Sequence, residues 1–152
     1  QTPEDAMTIR ELMSGGLITV RRETPVLEAR DLMAREKIRH LLVTNAGRTL
    51  EGIVTDRDIR LNLPSRATSL SVWEINHLLT KLTVEEVMTR SVITVGPDQP
   101  ASDGAQLMID RKIGALPVVE DGHLIGIVTE TDLVRAFVAM SAPHARRRSE
   151  AD

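Results

Sequence analysis

The sequence has no cysteine and no tyrosine, and its aromatic residues are a single tryptophan, Trp73, and a single phenylalanine, Phe137. Without cysteine there is no disulfide framework, no thiolate metal site and no cysteine nucleophile, and a reducing, cytoplasmic compartment is the expectation. With so few aromatics, any core must be assembled from Val, Ile, Leu, Met and Ala, within the 41% of the chain that is hydrophobic. No apolar run reaches about 18 residues, and Gln1 to Asp5 are polar and acidic, so neither a membrane span nor a signal peptide is expected. An excess of one charge is missing too. The 19 basic and 22 acidic residues leave a net charge of −3, which does not advertise a polyanion binder. The length of 152 residues suits one compact domain or two small, mutually dependent units.

What the sequence does contain is an internal repeat. Ile9 to Val20 (IRELMSGGLITV) matches Val84 to Val95 (VEEVMTRSVITV), with Met13 on Met88 and Ile18-Thr19-Val20 on Ile93-Thr94-Val95. Further along, Pro25 falls on Pro100, Leu32-Met33 on Leu107-Met108, Lys37-Ile38 on Lys112-Ile113, and Gly52-Ile53-Val54-Thr55 on Gly126-Ile127-Val128-Thr129, with Asp58 on Asp132. The chain therefore divides into an N-terminal extension (1–8), a first copy (9–63), a linker (64–83), a second copy (84–140) and a tail (141–152) read as disordered.

Each copy reads in one order. Thr8-x-x-Glu11 and Thr83-x-x-Glu86 have capping-box spacing and predict a short opening helix that ends near its methionine. A β-branched triplet follows, then Pro25 or Pro100 at a first helical position. Val26, Ala29, Leu32 and Met33 recur along one helix face, and Ala101, Ala105, Leu107 and Met108 do so less cleanly. Two short strands come next, Leu41 to Thr44 with Leu50 to Val54, and Leu116 to Val119 with Leu124 to Val128. Asp121-Gly122 is a hairpin signal between the latter pair. A closing helix starts near Asp56 and near Glu130. A unit of about 55 residues buries only about 60% of its unfolded surface, so the copies should share a core. In the linker, Pro64-Ser65-Arg66 reads as a turn, and Val72, Ile75, Leu78, Leu79 and Leu82 have helical spacing. Trp73 on that helix is read as a packing residue, with a partner contact as the alternative.

The chemistry-bearing feature is the doubled Gly-Ile-Val-Thr-x-x-Asp, Gly52 to Asp58 and Gly126 to Asp132. In each, an apolar strand runs into threonine where a helix starts, and a helix N-terminus offers unpaired N–H groups to an anion. The hydroxyl adds a donor, and the carboxylate can accept two hydrogen bonds from a sugar diol. The same spacing is also a helix cap, worth about 0.5–2 kcal/mol. Against a purely capping role stand the use of Asp, shorter than the preferred Glu or Gln, its recurrence in both copies, and Arg39-His40 just before the second strand of the first copy.

These residues resemble a tandem pair of cystathionine β-synthase (CBS) domains, a Bateman module, over about Ile9 to Phe137. The resemblance implies an α+β fold of two pseudo-symmetric βαββα motifs, each with a short N-terminal helix, packed face to face. It also implies a non-catalytic regulatory role: binding of an adenosine-containing ligand (AMP, ADP or ATP, S-adenosylmethionine or NAD) in clefts between the copies, with no required cofactor. Carried over, a first cleft takes Thr55, Asp58, Arg39 and His40, with Met88, Ile93 and Ile113 around the base. A second takes Thr129, Asp132, Gly114 and Ala115, with Met13, Ile18 and Ile38. Since Gly114-Ala115 replaces Arg39-His40, a phosphorylated ligand is expected to prefer the first. A homodimer and an effector protein are the expected partners, and neither nucleic acid nor a membrane is; the alternative is a ligand-free dimerisation module. His40, His77, His123 and His144 lack metal-ligand spacing, no nucleophile or activated base is evident, and Arg146-Arg147-Arg148 reads as part of the tail.

Overall fold

The computed structural model describes residues 7–63 and 69–142. The Pro64-Ser65-Arg66 turn and the arginine tail lie outside the described residues. The elements run α1 (Ile9–Leu12), β1 (Thr19–Val20), α2 (Val26–Glu36), β2 (His40–Thr44), β3 (Leu50–Thr55), α3 (Asp56–Leu61), α4 (Val72–Lys81), α5 (Val84–Val87), α6 (Ala101–Arg111), β4 (Ala115–Glu120), β5 (His123–Thr129) and α7 (Glu130–Ser141). The fold is α+β and repeats one motif twice.

The repeat is visible in backbone detail. Pro25 and Pro100 cap α2 and α6 at the N-cap, one position earlier than the sequence suggests, with φ near −60°. Both helices end on a lysine in the left-handed region, Lys37 (φ 57°) and Lys112 (φ 54°). This conformation lets the next N–H reach back, from Ile38 to Met33 O at 3.0 Å and from Ile113 to Met108 O at 3.1 Å. The Asp121-Gly122 turn joins β4 to β5 with φ of 52° and 78°, the pair of positive values a two-residue hairpin needs. The longer first-copy loop is organised by Asn45, whose Oδ1 accepts from Gly47 N at 2.9 Å and Thr49 N at 3.0 Å. In the first copy β1 is parallel to β2, and β2 is antiparallel to β3. In the second, the position of β1 is reduced to a single bridge between Val95 and Val118.

The chain forms two compact units. One holds residues 18–92 with 122–124; its core is Val20, Val26, Ala29, Met33, Leu41, Val43, Val54, Ile59, Leu79, Val84 and Val87. The other holds described residues up to 17 with 93–121 and those from 125 on; its core is Ile9, Val95, Met108, Leu116, Val118 and Val128. The opening helices are thus exchanged. Helix α1 lies with the second copy, where Ile9 N donates to Gln99 O at 2.9 Å and Ala101 N to Met7 O at 2.7 Å. Helix α5 lies with the first copy, where Val26 N donates to Leu82 O and Val84 N to Thr24 O, both at 2.8 Å.

Helix α4 is capped by Ser71 and Glu74 in a reciprocal box and buries Leu79. Trp73 does not pack inward. It is 74% exposed and stacks on His77 with ring centroids 5.6 Å apart, one turn along the same helix. It stands outside the spacing of Ile75, Leu78, Leu79 and Leu82, and its position points away from the face that carries Leu79.

Each exchanged helix leads into a close approach. After α5, Thr89 pairs with Ile53 through N–H···O bonds of 3.0 and 2.8 Å; after α1, Ser14 pairs with Ile127 at 2.9 and 3.1 Å. A Cβ on Gly52 would lie 2.8 Å from both Met88 Sδ and Thr89 O, and one on Gly126 would lie 2.6 Å from Met13 Sδ and 3.1 Å from Ser14 O. The methionine could swing aside; the carbonyl is fixed by the bridge. Gly52→Ala is expected to cost about 1–3 kcal/mol, the usual range for overpacking, read as a lower midpoint in urea with an unchanged slope.

Candidate functional site

The first junction is built from the β2–β3 register. His40 stands directly opposite Thr55 across the antiparallel pair, and Asp56 N donates to Arg39 O at 3.0 Å, which holds the Arg39-His40 segment against the start of α3. Thr55 is extended (φ −117°, ψ 161°) and its Oγ1 accepts from Asp58 N at 3.1 Å. Asp58 Oδ2 accepts in return from Thr55 N at 2.9 Å. The shorter carboxylate therefore does close a capping box, contrary to the sequence argument that Asp disfavours one. The extended N-cap brings its own N–H within reach of a side chain one methylene shorter than Glu.

The box uses one carboxylate oxygen. Asp58 Oδ1 and the Thr55 hydroxyl hydrogen have no partner among the described residues, and both residues are only partly buried. Arg39 is exposed and makes no ion pair among the described residues. Met88, against Gly52, lies in the same unit. Five of the seven predicted residues, Thr55, Asp58, Arg39, His40 and Met88, thus share one unit. Ile93 and Ile113 lie in the other, packed on its core.

The second junction repeats the design. Glu130 N donates to Gly114 O at 3.0 Å, the counterpart of the Asp56 to Arg39 bond. Thr129 Oγ1 accepts from Asp132 N at 3.3 Å, and Asp132 Oδ2 accepts from Thr129 N at 2.8 Å. Here the Thr129 hydroxyl is also 3.0 Å from Asp132 Oδ2, to which it donates, and Asp132 Oδ1 lies 4.0 Å from Arg135 Nη1. Thr129, Asp132, Gly114, Ala115 and Met13 share this unit, while Ile18 and Ile38 pack on the core of the other. Polar groups at the two junctions are therefore committed differently: the first keeps a hydroxyl proton and a carboxylate oxygen without a partner among the described residues, with Arg39 held there through its backbone carbonyl.

Burial pushes the His40 imidazole below its ordinary value of 6.5, because desolvation penalises the charged ring. A depressed folded value means that His40 contributes stability above the ordinary imidazole value and that this contribution is lost as pH falls through the folded one. His40→Gln is expected to lessen the loss of melting temperature between neutral pH and pH near 5; an unchanged acid sensitivity would contradict it.

Among the described residues no group of three or more His, Cys, Asp or Glu could hold a metal ion, and no helix is long and apolar enough to cross a membrane.

The chain is similar to several known proteins. An uncharacterised protein of Methanocaldococcus jannaschii is 34% identical over 159 residues, covering 88% of this chain and 93% of that protein. Other relatives are enzymes of which the chain spans a small part: the homoserine O-acetyltransferase of Methanohalobium evestigatum is 30% identical over 128 residues, which are 84% of this chain and 23% of the enzyme. Among solved structures, CBSX2 in complex with AMP superposes with a TM-score of 0.74 at 33% identity, covering 88% of this chain and 98% of that one. The CBS domain pair of protein MJ0100, in complex with 5-methylthioadenosine and S-adenosyl-L-methionine, gives 0.73 at 30% identity, covering 89% and 98%. The CBS domain family model matches residues 9–65 and 84–139, and the chain belongs to that family as a tandem CBS pair.

Proposed function

We propose that this chain is a non-catalytic regulatory module that binds an adenine nucleotide of the AMP, ADP or ATP class at the β3–α3 junction and signals occupancy to a partner protein. The observation that carries the reading is the Thr55 hydroxyl hydrogen and Asp58 Oδ1, both without a partner among the described residues, at a junction whose backbone pairs His40 with Thr55 and Arg39 O with Asp56 N. It gains support from relatives solved with AMP and with S-adenosyl-L-methionine. In this reading Asp58 accepts from the ribose diol, Thr55 donates to phosphate, and Arg39 pairs with phosphate through charge-assisted bonds. Ligand binding shifts the chain only insofar as one arrangement binds better than another. S-Adenosylmethionine and NAD share the adenosine portion and fall within the same recognition.

Arg39→Ala separates the phosphate role from general damage. It is expected to weaken ATP about tenfold or more, the scale of a lost charge-assisted bond, while adenosine affinity holds. Equal losses for both ligands in calorimetric titration would remove Arg39 from the site.

A second reading, a ligand-free dimerisation module, is favoured by two observations. Both Thr-x-x-Asp motifs close capping boxes, and α7 leaves Val134, Phe137 and Val138 between 59% and 69% exposed. These residues recur at i, i+3 and i+4, the spacing of a helix stripe able to pair with itself about a twofold axis. Dimerisation, unlike the absence of a ligand, is compatible with the first reading, and a homodimer formed through α7 is part of the proposal.

A further inference from the structure

The two junctions differ in an acidic residue that precedes the aspartate by two positions. In the first, Asp56 is drawn along α3 to Arg60, with Oδ2 3.5 Å from Nε. In the second, the repeat puts Glu130 in place of Asp56 and Val134 in place of Arg60, and Val134 is 61% exposed and apolar. Glu130 therefore has no ion-pair partner among the described residues. Its carboxyl group lies instead against Gly114, with Cδ, Oε1 and Oε2 at 3.4, 3.6 and 3.7 Å from the point where a Cβ would stand. That is the position of Arg39 in the first junction. A carboxylate thus lies against the backbone position at which the other copy carries Arg39, and the Thr129 hydroxyl is already donated to Asp132. Arg135, on the same helix, has its Nη1 4.0 Å from Asp132 Oδ1.

We infer that Glu130 is a specificity-determining residue: it excludes phosphorylated ligands from the β5–α7 junction and leaves that junction to adenosine compounds whose 5′ substituent is uncharged or cationic. This rests on the proposed adenosine reading of the Thr-x-x-Asp motif. A dianion about 5 Å from a unit charge under solvent-like screening is disfavoured on the order of tenfold, and the absence of a paired guanidinium adds to this. One chain could then report two adenosine ligands of different charge independently.

The test is calorimetric titration of the full chain with adenosine and with AMP, and Asp132→Asn locates the second equivalent. Wild type is expected to take two adenosines but one AMP. Glu130→Gln should strengthen AMP at the second junction about tenfold relative to adenosine, and Gly114→Arg with Ala115→His should strengthen it further. Gly114 has no positive φ, so a side chain is admissible there, and circular dichroism would confirm folding. Two AMP sites of equal affinity in wild type would overturn the inference. So would an unchanged AMP-to-adenosine ratio in Glu130→Gln, or a single adenosine equivalent that Asp132→Asn leaves intact. Failure of wild type to bind either adenosine or AMP would overturn the underlying function instead, and is distinguishable because both ligands fail together.

Discussion

Ile9→Ala is expected to destabilise the protein by about 2–5 kcal/mol, the range for truncating a fully buried large aliphatic side chain. Ile9 is 0% exposed although it sits on a one-turn helix close to the start of the described chain. It is buried among Val95, Met108, Leu116, Val118 and Val128, residues that follow it by more than eighty positions. Its Cδ1 stands 2.9 Å from where a Cβ would lie on Gly104, so the glycine of α6 exists in register with this isoleucine. Urea denaturation of Ile9→Ala should show that loss, and Gly104→Ala should be markedly less harmful in an Ile9→Val background, where the Cδ1 atom is gone. An Ile9→Ala effect within about 0.5 kcal/mol, the ordinary range for a surface site, would contradict the exchange of opening helices.

That exchange was hidden in the sequence for a physical reason. Helices α1 and α5 are four residues long, too short to present an apolar stripe that identifies a partner, and the two copies have matching patterns, so pairing within or between copies satisfies both equally. By contrast, the doubled Thr-x-x-Asp junction, the Asp121-Gly122 turn and the periodic faces of α2 and α4 were legible because each is a local feature whose geometry its own residues dictate. Gly104 escaped notice because a glycine adds nothing to a hydrophobic pattern, yet it is buried and makes the room that Ile9 fills. Trp73 misled in the opposite sense: apolar mass was legible, its direction was not. At each junction five of the seven residues named by sequence share one unit and the two isoleucines lie in the other, whereas Glu130 carried no signal of its own. Its meaning appears only when Val134 is seen to replace the arginine that holds Asp56 aside.

Asp58→Asn is expected to reduce affinity for AMP by about 10- to 100-fold, the span of one or two hydrogen bonds to a charged group, with little change in stability. On the proposed reading Asp58 has two separable tasks. Oδ2 caps α3 by accepting from Thr55 N, and Oδ1, which has no partner among the described residues, accepts from the ligand. An asparagine can retain the first with its amide oxygen, but it offers an NH2 group where the diol needs an acceptor. Asp58→Ala loses both tasks, and its cap loss of about 0.5–2 kcal/mol would be read in the unfolding curve. Comparing the two substitutions therefore separates support of the helix from recognition of the sugar, which wild-type binding alone cannot do.

The most direct measurement is titration calorimetry of AMP into wild type and Asp58→Asn, with melting temperature recorded on the same samples. The account predicts a melting temperature within a few degrees of wild type and a dissociation constant raised by at least tenfold; an unchanged dissociation constant would show that the carboxylate serves only the helix.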